Sequence, residues 1–117
     1  MAEHNEYGKR GEKIAVGWLS ENGFEILDRN WRCGRLEVDV VCRMGDMIVV
    51  VEVKSRRKGA ERVCELLSAD KRRRLMQAGA AWLAKHNACN ELRFDLLVVD
   101  CDSMKIDHYP EAVSICD

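Results

Sequence analysis

Ile14, Ala15, Trp18 and Leu19 recur at the spacing of one apolar helical stripe and predict a helix over Asn5 to Asn22. Gly23 follows the stripe directly, where a residue tolerant of positive φ ends a helix. The period then changes. Phe24 and Ile26 alternate with polar neighbours until Leu27 breaks the rhythm, predicting a first strand over Phe24 to Trp31; Leu36 to Arg43 alternates more cleanly as a second. Gly45-Asp46 separates that strand from Met47-Ile48-Val49-Val50-Val51-Glu52-Val53-Lys54, and Gly before Asp suits the type II′ turn of a tight hairpin.

The valine run has no polar face until Glu52, so it predicts a central strand covered by helices. After a polar stretch from Arg56 to Glu65, Ser68 is placed to cap a helix reaching about Asn87, with Leu75, Met76, Ala78, Trp82 and Leu83 turned inward. Leu92 to Asp100 reads as a buried strand and Ile106 to Tyr109 as a short edge strand, with Pro110 expected to end regular structure. The order α-β-β-β-α-β-β predicts an α/β fold: a central mixed sheet containing an antiparallel meander, flanked by helices. Its 117 residues are the length of one domain, 1–117.

Composition narrows the class. With 47% hydrophobic and 33% charged residues, the chain is neither disordered nor fibrous. No apolar stretch approaches the roughly 20 residues that cross a bilayer, and the first residues carry no apolar signal core; a cytoplasmic protein without membrane association is expected. The six cysteines form no Cys-x-x-Cys pair, and no histidine flanks them at zinc-ligand spacing. In a reducing compartment they are expected to be free thiols, most of them small core residues.

A net charge of −1 excludes a wholly basic nucleic-acid binder, but nine Lys or Arg against three Asp or Glu lie between Lys54 and Arg74. Within that region Lys71, Arg72, Arg73 and Arg74 crowd the first turns of the predicted helix, where the macrodipole disfavours each cation by about 0.3 to 1 kcal/mol. That cost suggests a use. Together with Arg56, Arg57 and Lys58 they are candidate contacts to a nucleic-acid backbone, the other reading being a solvated basic face.

Strand alternation puts Glu52 and Lys54 on one face, and Glu37 and Asp39 on one face of the preceding strand. A turn centred on Gly45-Asp46 pairs Met44 with Met47, which sets Asp39 opposite Glu52 and Glu37 opposite Lys54. Opposed carboxylates about 4.5 to 5.5 Å apart at Cβ destabilise a strand pair unless a cation lies between them. Asp39, Glu52, the Val53 carbonyl and waters are oxygen donors of the kind Mg²⁺ or Mn²⁺ accepts, and zinc or copper would have called for histidine or thiolate. Phosphodiester hydrolysis needs a polarised phosphoryl oxygen, an activated water and positive charge near the transition state. Lys54 would orient or deprotonate the water. Glu12 either adds a third carboxylate or is a helix-surface charge, and Glu37 either pairs with Lys54 or tunes it. Trp18 and Trp82 fall on apolar helix faces, whereas Trp31, near Arg32 and Arg35, either packs at the core's rim or stacks on a base.

Asp39 followed on the next strand by Glu52-Val53-Lys54 resembles the PD-(D/E)xK nuclease superfamily, whose pattern is an Asp, a variable gap and Glu-x-Lys. The surrounding residues extend the likeness: Gly8-x-x-Gly11-Glu12-x-x-Ala15, Leu19, Gly23-Phe24-x-Ile26-Leu27-x-x-Asn30-x-Arg32, Glu37-Val38-Asp39, Val51-Glu52-Val53-Lys54-x-Arg56, Lys71 and Arg93-Phe94-Asp95. This set is similar to the YraN-type bacterial family, itself similar to archaeal Holliday-junction resolvases, from about Gly8 to Asp100. The resemblance implies a restriction-endonuclease-like core with Glu12, Asp39, Glu52 and Lys54 as the catalytic set. Val38 stands where the superfamily carries Pro, as in the smaller family, and Val50 where that family often has an aromatic residue. The expected function is a Mg²⁺- or Mn²⁺-dependent endonuclease hydrolysing phosphodiester bonds in structured or branched DNA during repair, recombination or uptake. Cutting both sides of a junction would require a homodimer. The rival expectation is a nucleic-acid-binding or partner-binding module that keeps the nuclease fold but does not cut.

Overall fold

The computed structural model describes residues 2–56 and 62–116. Helix α1 (Ala2–Glu21) ends where expected: Gly23 takes φ +88°, and the Phe24 amide donates to the Leu19 carbonyl at 3.0 Å, satisfying a carbonyl of the last turn. Strands β1 (Glu25–Cys33) and β2 (Leu36–Met44) pair antiparallel with a register shift between Ile26 and Asp28. Leu27 is therefore the extra residue of a bulge, the physical reason its apolar side chain interrupts the alternation. β2 joins β3 (Met47–Ser55) through the tight turn, with Met44 paired to Met47 and Gly45 at φ +60°.

Beyond β3 come α2 (Val63–Leu66), α3 (Ala69–Lys85), β4 (Leu92–Asp100), β5 (Lys105–Tyr109) and α4 (Ala112–Ile115). The five strands lie in the order β1-β2-β3-β4-β5, with β4 parallel to β3 and the other pairs antiparallel. Parallel neighbours need a crossover, which α3 supplies. The longer elements keep the order α-β-β-β-α-β-β. Helices α2 and α4 are additions of four residues each, too short to leave an apolar period in the sequence. Regular structure does not end at Pro110 as expected: β5 stops before it, and α4 begins two residues later.

β3 lies between two apolar layers, which explains a strand without a polar face. On one side Ala15 and Leu19 of α1 cover Val40, Val49, Val51, Leu97 and Val99. On the other, Leu75, Ala78 and Trp82 of α3 cover Val41, Val50 and Leu96. Met76 was expected inward but is 45% exposed, because one residue past Leu75 it is turned about 100° around the helix from that stripe. Among the described residues no helix is long and apolar enough to cross a membrane.

The cysteines depart from expectation. Cys64 of α2 and Cys116, just beyond α4, are disulfide-bonded with Cα atoms 5.5 Å apart, although 52 positions separate them in sequence. The expectation of six free thiols failed because the pair lies in one short helix and at the end of another, neither of which the pattern reveals. Cys42 and Cys101 are buried core thiols, Cys33 is half-buried and Cys89 exposed.

Candidate acidic centre at the open end of the hairpin

The β2–β3 ladder runs from Met44↔Met47 through Cys42↔Val49 to Val40↔Val51, and there it stops. Another step would set Asp39 against Glu52, and the next would join Val38 to Val53. Instead the Val53 amide donates to Asp39 Oδ2 at 2.8 Å, so a carboxylate replaces the backbone acceptor. The N–H and C=O of one strand residue point to the same side, and the Val53 carbonyl therefore faces the same gap. Asp39 and Glu52 do come close enough for the charge of Glu52 to raise the Asp39 carboxyl, but beyond the ladder's end and not as a ladder pair. The expected pairing of Glu37 with Lys54 does not form. Glu37 is exposed and lies 3.3 Å from Arg32 Nη2.

Glu52 is only 3% exposed. Burying an ionised carboxylate is costly without compensating charge, and two ammonium groups supply it: Lys54 Nζ at 3.4 Å and Lys71 Nζ at 3.2 Å from Glu52 Oε2. Lys71 reaches the centre from the first turn of α3, which Ser68 caps by accepting the Lys71 amide at 3.1 Å. From α1 comes Glu12, whose side chain is 12% exposed and lies 3.8 Å from Arg29 Nη2. Its Oε1 is buried and accepts no hydrogen bond.

These neighbours decide the charge state of Asp39. Burial, then the charge of Glu52, raise its carboxyl from 3.8 to about 7; the Val53 amide pulls the other way, and the hydrogen bond with Glu52 and the charge of Glu12 add to the rise. A divalent cation would favour the ionised form instead. The donors present fit one: all are oxygens, Glu12 Oε1 is buried without a hydrogen bond and has only the Arg29 guanidinium at 3.8 Å, and Asp39 is raised to about 7. Among the described residues no three His, Cys, Asp or Glu side chains stand close enough to enclose an ion by themselves. The residues that would hold it are Asp39, Glu52 and the Val53 carbonyl, with water completing the shell and linking Glu12.

The basic residues divide. Lys71, read from sequence as a backbone contact, enters the acidic centre itself. Arg72 Nη1 donates to the Leu67 carbonyl at 2.7 Å, and Arg73 and Arg74 both bind Asp70 on their own helix, Arg74 Nε donating at 3.0 Å. Arg56 Nη1 donates to the Ser55 carbonyl at 2.9 Å. Arg57 and Lys58 lie outside the described residues. Trp31 is half-buried against the apolar layer under α3. The Lys71–Glu52 and Arg29–Glu12 contacts escaped the sequence reading because each joins elements distant along the chain. Lysine at a helix start, against the macrodipole, was the one signal available for the first.

A cavity of about 340 Å³ lined by Asp28, Ile48, Trp82 and His86 lies at the other end of the hairpin, among residues that already satisfy one another: Trp82 Nε1 donates to Asp28 at 2.8 Å. It takes no part in the acidic centre.

The fold and centre define a class: a mixed α/β protein, consistent with a restriction-endonuclease-like core, whose central hairpin opens onto carboxylates and lysines. Residues 11–99 match the uncharacterised protein family UPF0102, and the chain belongs to that family. It is 41% identical over 109 residues to a UPF0102 protein of Anaeromyxobacter dehalogenans, covering 90% of this chain and 81% of that relative. The UPF0102 protein of Phocaeicola vulgatus is 38% identical over 115 residues, 96% of this chain and 95% of its own. That of Kineococcus radiotolerans is 46% identical over 93 residues, 79% and 76% of the two chains. The family match includes Glu12, Asp39, Glu52, Lys54 and Lys71.

Proposed function

We propose that this chain is a divalent-cation-dependent endonuclease of the PD-(D/E)xK kind, hydrolysing phosphodiester bonds in structured or branched DNA during repair, recombination or uptake. One observation carries the reading: Asp39 and Glu52, from adjacent strands, come together at the open end of a hairpin beside Lys54, with Asp39 driven to about 7 by burial first and the charge of Glu52 second. Acids so arranged are unfavourable for the protein alone and favourable for holding Mg²⁺ or Mn²⁺.

When bound, such an ion polarises a phosphoryl oxygen and makes a coordinated water more acidic. Asp39, Glu52 and the Val53 carbonyl fix where that happens. Lys54, anchored 3.4 Å from Glu52, orients the attacking water and balances charge on the phosphate as its oxygen bonds phosphorus and the bond to the leaving oxygen breaks. Glu12 holds a water from the α1 side. Arg72, Arg73 and Arg74 hold the strand by charge without reading its sequence, and Arg56, with Arg57 and Lys58 beside it in sequence, is a further candidate contact of that kind.

Labelled branched, flapped and linear DNA, incubated with purified protein and Mg²⁺ or Mn²⁺ beside Asp39→Asn, tests this. Cation-dependent cutting lost in the variant is expected. No cutting of any substrate, with binding retained, would replace the enzyme by the second reading, a nucleic-acid-binding module on the same fold. That reading draws on Glu52 being already neutralised by two lysines without a cation.

A further inference from the structure

Two lysines hold Glu52, and they are not equivalent. Lys54 belongs to β3, two residues beyond Glu52 on the same face, so its place is set by the strand. Lys71 belongs to α3 and reaches across from a separate element, yet its ammonium is the nearer one, 3.2 Å against 3.4 Å. Its side chain is 28% exposed, so the ammonium has solvent on one side and a buried carboxylate on the other. Both ammonium groups crowd one oxygen, Glu52 Oε2, and a divalent ion held by that carboxylate would meet their like charge a few Å away, a repulsion that the lysine from the separate element can relieve by leaving.

We propose that Lys71 is an exchangeable counter-ion: it neutralises Glu52 while no divalent cation is present, gives that carboxylate up when one binds, and then turns its freed ammonium to a phosphate oxygen of the nucleic-acid backbone. This deepens the endonuclease reading and rests on it. The exchange accounts for a second ammonium, brought from a separate element, on a carboxylate that is only 3% exposed. It also couples cation loading to substrate grip, since the positive charge that leaves the carboxylate becomes available to a polyanion. No bond is made or broken; one ion pair replaces another.

The experiment compares wild type, Lys71→Met and Lys71→Arg. Mn²⁺ is titrated calorimetrically without nucleic acid, and binding of a branched DNA is measured against salt with Ca²⁺ or with EDTA. Removing a competing unit charge should tighten Mn²⁺ binding at least about fivefold in Lys71→Met, with Lys71→Arg staying close to wild type. With Ca²⁺, the slope of log affinity on log salt should fall by about 0.9, one phosphate contact, in Lys71→Met, and with EDTA it should not change. A merely structural lysine would weaken Mn²⁺ binding when removed, and a permanent phosphate contact would lower the slope in both conditions; either result overturns the exchange. Unchanged Mn²⁺ affinity in Lys71→Met, with wild type binding normally, overturns the exchange alone. Failure of wild type to bind Mn²⁺ overturns the endonuclease reading with it.

Discussion

Replacing Asp39 by Asn should stabilise the cation-free protein while removing its proposed activity. Asn keeps an oxygen for the Val53 amide and offers an N–H to Glu52, so the geometry survives and the repulsion does not. The displacement of Asp39 from 3.8 to about 7 corresponds to about 4 kcal/mol for ionising it in the folded state. Water reaches the centre beside Lys54 and Lys71, each 28% exposed, and screening should reduce the measured effect to about 2 kcal/mol. The folded value lies above the unfolded one. Protonated Asp39 therefore contributes its full stability below pH 3.8, and that contribution is lost as pH rises through about 7. Urea unfolding of both proteins in EDTA at pH 4 and pH 8 isolates the effect of Asp39 and its interaction with Glu52 and Glu12, because the groups that do not interact with Asp39 cancel in the difference. The variant should gain little at pH 4 and about 2 kcal/mol at pH 8, about 8 °C in Tm for a domain of this size. An equal gain at both pH values, or a loss at pH 8, would refute the account of why Asp39 is displaced.

Other consequences follow from the same contacts. Mn²⁺ must displace the Asp39 proton, so its stabilisation of wild type in a thermal melt should grow from pH 6 to pH 8 and be absent in Asp39→Asn; a pH-independent shift places the ion elsewhere. Reducing the Cys64–Cys116 bond, or Cys64→Ser, should cost about 2 to 4 kcal/mol in urea unfolding, as expected for opening a loop of 52 residues, and an unmoved midpoint rules the pair out as a stabilising link. Gly11→Ala places a methyl group onto the Ser55 hydroxyl and 3.1 Å from its Cβ, so the hydroxyl must turn away and α1, with Glu12, must give by a few tenths of an ångström at the end of β3. A loss of about 1 to 3 kcal/mol is expected, partly restored by Ser55→Ala, with a matching fall and recovery in Mn²⁺ affinity by titration.

Much of this organisation can be read along the chain because the relevant signals are periodic. The valine run reports burial on both faces, and Gly45-Asp46 fixes the hairpin, which carries Asp39 and Glu52 to the same place by counting. Where the reading went wrong, period was absent or a side chain intervened. Helices of four residues leave no stripe, so α2, α4 and the disulfide joining that region were missed. The count from the turn also assumed a ladder that continues, and so misplaced Glu37, because a short carboxylate at position 39 takes the Val53 amide for itself. Lys71 lies 19 positions from Glu52 with a crossover between them, and only packing decides that they touch.

Asp39, Glu52 and Glu12 belong to elements whose positions are fixed elsewhere. Val49 and Val51 secure β3, Val40 and Val41 secure β2, Ala15 and Leu19 secure α1, and Leu75, Ala78 and Trp82 secure the helix that brings Lys71. Each apolar anchor is independent of the charges, so the acids can be pressed together at a cost of a few kcal/mol that the two layers absorb. Were the carboxylates only stabilising ion-pair members, the lysines would satisfy them all. Yet Glu12 keeps a buried oxygen without a hydrogen bond, and Asp39 is raised to about 7 in spite of the Val53 amide. Carboxylates pressed together by packing that does not depend on them are the preorganised arrangement the proposed cation would use.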